Sequence, residues 1–320
     1  MKRRERGAAL LAAMLTVTLV ATLAAGALWH QWRSVEIESA DRQRIQSAWI
    51  LTGALDWARL ILREDSGSPD HLAEPWAVPL QEARLATFLA ADPSNNAMTE
   101  TSDADQVFLS GDIVDLQGRL NLTSLVVAGA TQAKPLAAFG RLFDVLGLPA
   151  AQLTTMAANL RFASDISIEN RNAAQAPLLP QRVEQLVWLG LPADTVAALG
   201  PYVTILPQAS PVNLNTAPAE VLYAVIGNIG LADAQRLVAE RERKHFANVN
   251  DAKVLLPTGA DFDPSLVSVN TLWFEVHGRL RIEDVVIEER SMVQRQGRQV
   301  QAVQRERSAT RSTPSTEIKR

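Results

Sequence analysis

The sequence predicts an α+β protein with a long N-terminal transmembrane helix, a small antiparallel sheet and a large all-helical insertion. Three observations lead to this prediction. Residues Ala8 to Trp29 form an apolar run without charge. Strand-like alternation occurs in 107–122 and returns only after Leu266, whereas 123–257 contains short helical patterns closed by glycine or proline. A sheet that begins before the helices and is completed after them implies that the helices are inserted into it.

The apolar run is long enough to cross a membrane. About twenty apolar residues, at a rise of about 1.5 Å each, span a hydrocarbon core about 30 Å thick. The flank before the run is basic, with Lys2, Arg3, Arg4 and Arg6 against Glu5. The positive-inside rule therefore keeps Met1 to Gly7 in the cytoplasm and sends the bulk of the chain across the membrane.

Three interpretations of this N-terminal segment remain. A secretory signal could be cleaved at Ala25-Gly26-Ala27, but its apolar core should span only about 7 to 15 residues. A plain membrane anchor fits the length but gives no reason for Gly7 at the boundary between charge and apolar run. The third interpretation, which we favour, is a leader cut after Gly7, because Arg6-Gly7-Ala8 resembles the leader junction of the pilin and pseudopilin family. That resemblance implies cleavage by a prepilin peptidase and an N-methylated Ala8 as the new N-terminus.

The fifth residue after this junction departs from the family pattern. Most pilins have glutamate there, and in the family its carboxylate is thought to neutralise the N-terminal ammonium of a neighbouring subunit. This chain has Ala12. An unpaired charge inside an apolar filament core costs several kcal/mol, so a subunit that docks on another should need the acid, whereas a first subunit should not. Spacing alone does not distinguish this interpretation from a neutral anchor residue.

Composition excludes several classes of function. With 320 residues, 47% hydrophobic and 21% charged, the chain is expected to form sizeable folded parts. A net charge of −4 gives no electrostatic basis for binding nucleic acid. The chain has no cysteine, so it has neither disulfides nor a cysteine-bound metal.

The first helix is predicted to continue to Glu64, because Gly53 is the only glycine between His30 and Glu64 and no proline interrupts it. Its second half has apolar residues at helical spacing, which predicts an apolar stripe that faces a folded domain. These are Ile45, Ala48, Trp49, Thr52, Leu55, Ala58 and Ile61 or Leu62. Leu80 to Ala90 is predicted as a short helix, and 107–122 as a hairpin with Gly111 and Gly118 at its turn.

Further helices are predicted at 134–146, 150–162, 181–189 and 193–199, three of them closed by Gly147, Gly190 and Gly200. The late strands are predicted at 266–281, 285–295 and 298–305.

The predicted domains are a leader (1–7), a transmembrane helix (8–29), a first head part (30–122), an all-helical insertion (123–257), C-terminal head strands (258–307) and a disordered tail (308–320).

These blocks, in this order, resemble the K-type minor pseudopilin family of bacterial type II secretion systems. The matching pieces are RERGAALL, SAWILTGALDWARLIL, SGDIVDLQGRLNLTSL, YVTILPQASPVNLNTAPAEVL and VNTLWFEVHGRLRI with RSMVQRQGRQV. The resemblance implies a pilin-like head with a helical insertion in the periplasm, anchored by a single pass in the inner membrane. It also implies a place at the tip of the pseudopilus, with I-type and J-type minor pseudopilins and the major pseudopilin as partners, and a role in priming or capping assembly. Between Phe162 and Pro177 the chain lacks the family's longer acidic segment, which leaves open any ligand held there, including calcium.

One segment favours an alternative function. Asn213 to Ala217, followed by Gly227-Asn228-Ile229-Gly230, resembles a helix-hairpin-helix or SAM-like module, whose backbone amides can grip phosphate at a helix start. The alternative is therefore a membrane-tethered periplasmic protein that binds nucleic acid or another ligand. Asn228 replaces the first glycine of the Gly-Ile-Gly hairpin, and the charges around it nearly balance, so we favour a structural hairpin. Thr216 before Pro218 is predicted to cap the following helix.

Searches for catalytic motifs find none: the sequence contains no Gly-x-Ser-x-Gly elbow, no phosphate loop and no His-Glu-x-x-His. The histidines His30, His71, His245 and His277 lie far apart in sequence. We therefore expect no enzyme activity. Asp103 with Asp105, and Asp261 with Asp263, are paired loop carboxylates of the kind that calcium prefers, and they are the candidate metal ligands, although such pairs are commonly only solvated.

Overall fold

The computed structural model describes residues 5–65, 67–90, 107–165, 167, 172–283 and 285–311. Its first element is one continuous helix, α1 (Glu5–Glu64), as the absence of proline predicts. The chain divides into two compact units, the first ending at Gly53 and the second beginning at Ala54.

The first unit consists of α1 up to Gly53. Its apolar run contains threonines at positions where a free hydroxyl would be costly in a membrane. The hydroxyls of Thr16, Thr18 and Thr22 donate to backbone carbonyls three or four residues earlier, at 2.8 to 3.0 Å. Such bonds satisfy the polar group within the helix itself, so the run can face lipid over its whole length.

The second unit contains a five-stranded antiparallel sheet with strand order β1-β2-β9-β10-β11. The strands are β1 (Leu80–Arg84), β2 (Val107–Asp115), β9 (Trp273–Ile282), β10 (Val285–Gln296) and β11 (Gln299–Arg311). Two of them precede the helical region and three follow it, which confirms an antiparallel sheet begun before the helices and completed after them. A short helix, α2 (Leu85–Ala90), follows β1, so the predicted helix at 80–90 is wrong in its first half.

One face of the sheet packs on the end of α1. Leu55, Ala58 and Leu62 are buried against Phe274 and Val293 of the sheet, together with Trp76. The predicted apolar stripe is confirmed at these helix positions. It is wrong for Ile45 and Trp49, which belong to the first unit and are exposed.

The predicted hairpin at 107–122 is not formed. Strand β2 runs straight through Gly111, which pairs with Gly278 of β9. A Cβ at Gly111 would clash with the backbone carbonyl of His277, so glycine here permits close strand approach and does not mark a turn. After β2 the chain forms a 3₁₀ turn at Leu116–Gly118 and enters the helical region.

The helical region contains six α-helices among the described residues: α3 (Ala133–Val145), α4 (Ala150–Ala163), α5 (Ala193–Leu199), α6 (Ala219–Val225), α7 (Leu231–Arg243) and α8 (Val249–Lys253). Gly147 and Gly190 follow helical segments with φ values of 67° and 89°, as their predicted stop role requires. The segment Val183–Leu189 is a 3₁₀ helix, where an α-helix was expected.

Short strands link the helices. They are β3 (Leu120–Asn121) with β6 (Val203–Thr204), β4 (Val126–Val127) with β5 (Ala130–Thr131), and β7 (Val212–Asn213) with β8 (Val267–Ser268). The apolar core of this region draws on residues from Leu120 to Val269, on both sides of the predicted limits 123 and 257. At the other end, β11 continues to Arg311, so residues 308–311 form a strand and not the predicted disordered tail.

Candidate assembly site

The apolar part of α1 is the first candidate for subunit assembly. Within the described residues, α1 is the one helix that is long and apolar enough to cross a membrane, and none of its most apolar window is buried. Gly7 lies inside the helix, so α1 passes through the predicted leader junction without a break. Ala8 and Ala12 are exposed, and Ala12 contributes only a methyl group where pilins have a carboxylate. The run therefore presents no charged group.

The two candidate calcium ligands that the structure describes, Asp261 and Asp263, are not arranged as a cation site. Asp103 and Asp105 lie outside the described residues. Asp263 is already neutralised, because its Oδ2 lies 2.5 Å from Nζ of Lys134 and its Oδ1 accepts bonds from the amide and hydroxyl of Ser265 at 2.9 and 2.7 Å. The hydrogen bonds from Lys134 and Ser265 lower the pKa of Asp263 to about 2. Asp261 is engaged through its backbone with Gly227. Among the described residues, no group of three potential ligands could hold a metal.

Three of the four histidines, although distant in sequence, have defined partners. The rings of His71 and His245 stack with centroids 3.8 Å apart, which brings the loop after α1 against the loop after α7. His277 lies between two carboxylates, with Nδ1 3.1 Å from Asp112 and Nε2 2.6 Å from Glu275. Both arrangements are packing or ion-pair contacts, as their separation in sequence suggested.

A buried polar cluster joins the helical region to the sheet, and we call it the polar junction. It consists of Asp70, Asp115, Asn213, Thr216, Thr271 and Arg295.

Asp115 is the central acceptor of the polar junction. Its Oδ1 accepts from the hydroxyl of Thr271 at 2.6 Å, and its Oδ2 accepts from the hydroxyl of Thr216 at 2.6 Å and the amide of Asn213 at 2.9 Å. Burial raises the pKa of Asp115, and the hydrogen bonds from Thr216, Thr271 and Asn213 oppose that rise. Because Asp115 ends β2 and Asn213 belongs to β7, these bonds fix the helical region to the sheet.

Arg295 of β10 supplies the charge that the junction needs. Its guanidinium pairs with the carboxylate of Asp70, donates to the carbonyl of Asp65 at 2.5 Å and lies 4.8 Å from the ring centre of Phe274. The side chains of Arg295 and Asp70 are only 6% and 1% exposed. Removing one partner of such a pair would leave an uncompensated buried charge.

The Asn-Leu-Asn-Thr motif is explained by buried structural bonds. Asn215 exchanges two bonds with the backbone of Phe246, at 2.8 and 3.0 Å. Thr216 does not cap α6, contrary to the prediction: the helix begins after Pro218, and the hydroxyl of Thr216 is used by Asp115. Arg241 donates to the carbonyls of Leu214 and Ala217 at 2.6 and 2.5 Å, and burial lowers its pKa to about 10.

The turn between α6 and α7 is not arranged to grip phosphate. Asn228 adopts φ 60°, so an asparagine fills the left-handed position of the turn. The amide of Gly230, at the start of α7, donates to Oδ2 of Asp233 at 3.0 Å. Arg236 is held by Asp233 and by the carbonyl of Leu255. A carboxylate therefore occupies the position that a phosphate would need, which argues against the nucleic-acid alternative.

Comparison with known proteins gives a consistent result. Two family models, both described as type II secretion system (T2SS), protein K, match residues 118–208 and 212–270. Type II secretion system protein K of Pseudomonas aeruginosa is 26% identical over 309 residues, covering 89% of this chain and 87% of that protein. The protein of the same name from Pectobacterium carotovorum subsp. carotovorum is 26% identical over 335 residues, covering 96% and 97%. These matches make the chain similar to the type II secretion system protein K family over most of its length.

A solved structure supports the same fold. The crystal structure of the GspK-GspI-GspJ complex from the enterotoxigenic Escherichia coli type 2 secretion system contains a chain that matches with a TM-score of 0.64 and 21% identity, covering 84% of this chain and 98% of that one. Together, the family models, the relatives and this fold support a minor pseudopilin of the type II secretion system, a structural component of that machinery.

The polar junction could not be predicted from the sequence. Its members lie in five separate parts of the chain, and only Asn213 and Thr216 stood in a recognised motif. The available signal was weak: an aspartate at the end of a strand and a conspicuous Asn-Leu-Asn-Thr run.

Proposed function

We propose that this chain is the first subunit of a short periplasmic pseudopilus and that it primes or caps the assembly. In this proposal α1 crosses the bacterial inner membrane once, with the N-terminus in the cytoplasm and the second unit in the periplasm. The basic flank before Ala8 and the uncharged run up to Trp29 support this orientation.

We further propose that a prepilin peptidase cuts the chain between Gly7 and Ala8 and that the amino group of Ala8 is then methylated. The retained helix would pack against the helices of the subunits below it. Because Ala12 has no carboxylate, this subunit could not neutralise the ammonium of a subunit ahead of it, whereas a first subunit has no such neighbour.

The partners we propose are an I-type and a J-type minor pseudopilin, with the major pseudopilin below them. The support comes from the structural neighbour, which is a chain of a complex with GspI and GspJ. We propose no catalytic activity, and we propose a calcium role for neither Asp261 nor Asp263, because Asp263 is already paired with Lys134.

One observation carries the capping proposal: a helical region with its own core interrupts the sheet and is fixed to it by the polar junction. A filament repeats one head-to-tail contact, so a rigid extra body on a head would block addition beyond it. Excision of the helical region tests this directly.

The structure shows where to cut. The amide of Leu272 donates to Oε1 of Gln117 at 2.6 Å, so the two ends of the region 118–270 lie next to each other. Replacing 118–270 by a short Gly-Ser linker, with Asp115→Asn to avoid an unpaired buried carboxylate, should make pseudopili overgrow or fail to start. Ala12→Glu alone should change little. Pseudopili of normal number and length after the excision would contradict capping.

Leader processing needs its own measurement, which is mass spectrometry of the N-terminal peptide from membranes. The expected first residue is methylated Ala8. A chain that begins at Met1 would indicate a plain anchor, and one that begins at Leu28 would indicate a cleaved signal.

A further inference from the structure

A groove separates the helical region from the outer face of the sheet, the face opposite α1. It is formed by two neighbouring cavities of about 380 and 290 Å³. They share Gln181, Ile205, Met292 and Gln304, so the two cavities lie next to each other. Core residues such as Leu122, Leu160 and Leu206 form part of its wall, whereas no residue of the polar junction lines it.

The two ends of the groove differ in chemistry. The smaller cavity has mainly apolar walls, including Leu122, Leu160, Leu179 and Leu206. The larger cavity is lined by charged side chains from both the sheet and the helical region. An occupant that fits both ends must combine an apolar group with a polar or charged one.

In the larger cavity, some charged side chains have a partner and others do not. Arg182 pairs with Glu306 at 3.2 Å, and Glu275 is bound to His277 at 2.6 Å. Arg119 and Arg290, by contrast, make no hydrogen bond and no ion pair within 4 Å to any described residue. Glu184, the remaining acid of the lining, is exposed on the opposite wall. Two guanidinium groups of the larger cavity are therefore without a direct partner, although its lining contains as many glutamates as arginines.

Both arginines are positioned around one point of the sheet. Arg290 of β10 stands next to His277 in the strand register, and Arg119 follows the 3₁₀ turn that leaves β2. Burial raises the pKa of Glu275, but the bond to His277 and the charges of His277, Arg119 and Arg290 outweigh it and lower the pKa. Two guanidiniums that share one distant carboxylate retain donors for a second one.

We propose that this groove binds an extended peptide segment of a partner protein, with an apolar side chain in the smaller cavity and an acidic side chain between Arg119 and Arg290. Charge-assisted bonds to the two guanidiniums provide specificity, and the apolar anchor provides buried area. The assignment does not depend on the place of this subunit in a filament.

The probe is a dye-labelled peptide, acetyl-Ser-Leu-Phe-Asp-Glu-Ser-amide, titrated by fluorescence anisotropy against the full chain in detergent micelles, with empty micelles as a blank. Its neutral counterpart has Asn and Gln for the two acids, and its small counterpart has Ala for Leu and Phe. The first peptide should bind, and each counterpart should bind about tenfold more weakly.

Variants of the groove have matched controls. Arg119→Gln with Arg290→Gln should weaken binding of the acidic peptide about tenfold, whereas Arg279→Gln, on the same face of the sheet but outside the groove, should not. Leu179→Ser should weaken binding, whereas Leu178→Ser, its exposed neighbour that does not line the groove, should leave it unchanged. These substitutions remove no ion pair of the polar junction, so the fold should be retained.

Three results would overturn the proposal. The first is no binding of the acidic peptide up to about 1 mM, the weak limit for a specific site. The second is equal binding of the neutral or the small counterpart, which would leave a non-specific surface. The third is self-association of the chain that is lost in the Arg119→Gln, Arg290→Gln variant, because the occupant would then be a second copy.

Discussion

The sheet and the helical region bury very different amounts of apolar surface. In the part of the chain that the structure describes, the core of the helical region contains 30 buried residues, whereas the main core between α1 and the sheet contains eight. The sheet compensates with buried polar contacts: Glu289, Ser291 and Arg295 all lie in β10 and are almost fully buried. The helical region is thus held mainly by hydrophobic packing, and the sheet depends more on its charges and its close strand pairing.

The largest effect is expected for Arg295→Met. It leaves the buried carboxylate of Asp70 without its partner, and breaking such a pair costs about 3 to 5 kcal/mol. Arg279→Met is the control, because Arg279 lies on the neighbouring strand β9 with a half-exposed contact of 3.8 Å to Glu288, and it should cost less than about 0.5 kcal/mol. Urea unfolding of the full chain in detergent gives both values. Similar losses for the two variants would show that the junction charge does not stabilise the sheet.

Substitutions at two glycines compare how well the sheet and the helical region tolerate an added Cβ atom. Gly111→Ala should cost about 3 kcal/mol, because the new Cβ would clash with the carbonyl of His277 and force β2 and β9 apart. Gly140→Ala in α3 should stabilise by about 0.5 to 1 kcal/mol, since its Cβ would meet only Leu153 at 3.9 Å and alanine favours a helix interior. The free energy of unfolding measured by circular dichroism is the test. A neutral Gly111→Ala would mean that the sheet can relax at this point.

Substitutions at two threonines compare the stability contributed by a hydrogen bond to a charged acceptor and by one to a neutral acceptor. Thr271 donates to the carboxylate of Asp115 at 2.6 Å, and Thr195 donates to the amide oxygen of Gln152 at 2.8 Å. Thr271→Val should cost about 2 kcal/mol and Thr195→Val about 1 kcal/mol, because bonds to charged groups contribute more. Both hydroxyls are well buried, so solvent does not explain a difference. The reverse order in unfolding experiments would contradict the central role of Asp115.

The difference between the regions also explains what the sequence could predict. Helix α1 and the late strands followed from local patterns, since each depends on spacing along one segment. The predicted hairpin at 107–122 was wrong because a glycine that permits close strand approach, such as Gly111, cannot be distinguished in sequence from a glycine in a turn. Thr216 was assigned to a helix cap for a similar reason: its true partner, Asp115, is 101 residues away. The groove with Arg119 and Arg290 arises only when β10 and the turn after β2 meet, so no local pattern announces it.

The smallest expected effect is a dependence of the free energy of unfolding on pH, which has opposite signs for His277 and His245. Burial lowers the pKa of His277, and the charge of Arg290 acts in the same direction. The bond to Glu275 and the charges of Glu275 and Asp112 raise the pKa by more, so the net pKa is raised. Its stabilisation is therefore complete below the unfolded value of 6.5 and is lost as pH rises through the folded pKa. His277→Gln should destabilise more at pH 6 than at pH 8, by less than about 1 kcal/mol.

For His245, burial and the stacked ring of His71 lower the pKa, with Lys244 acting in the same direction and Glu74 opposing it. The contribution of His245 is then present above the unfolded value of 6.5 and is lost as pH falls through the folded pKa. His245→Gln should remove this loss, so the variant should gain stability relative to the natural chain as pH falls below about 6. Parallel urea titrations at pH 5.5, 6.5 and 8 compare the two variants. If both change stability in the same direction with pH, the carboxylate pair around His277 and the ring stack at His245 do not set the charge of these histidines.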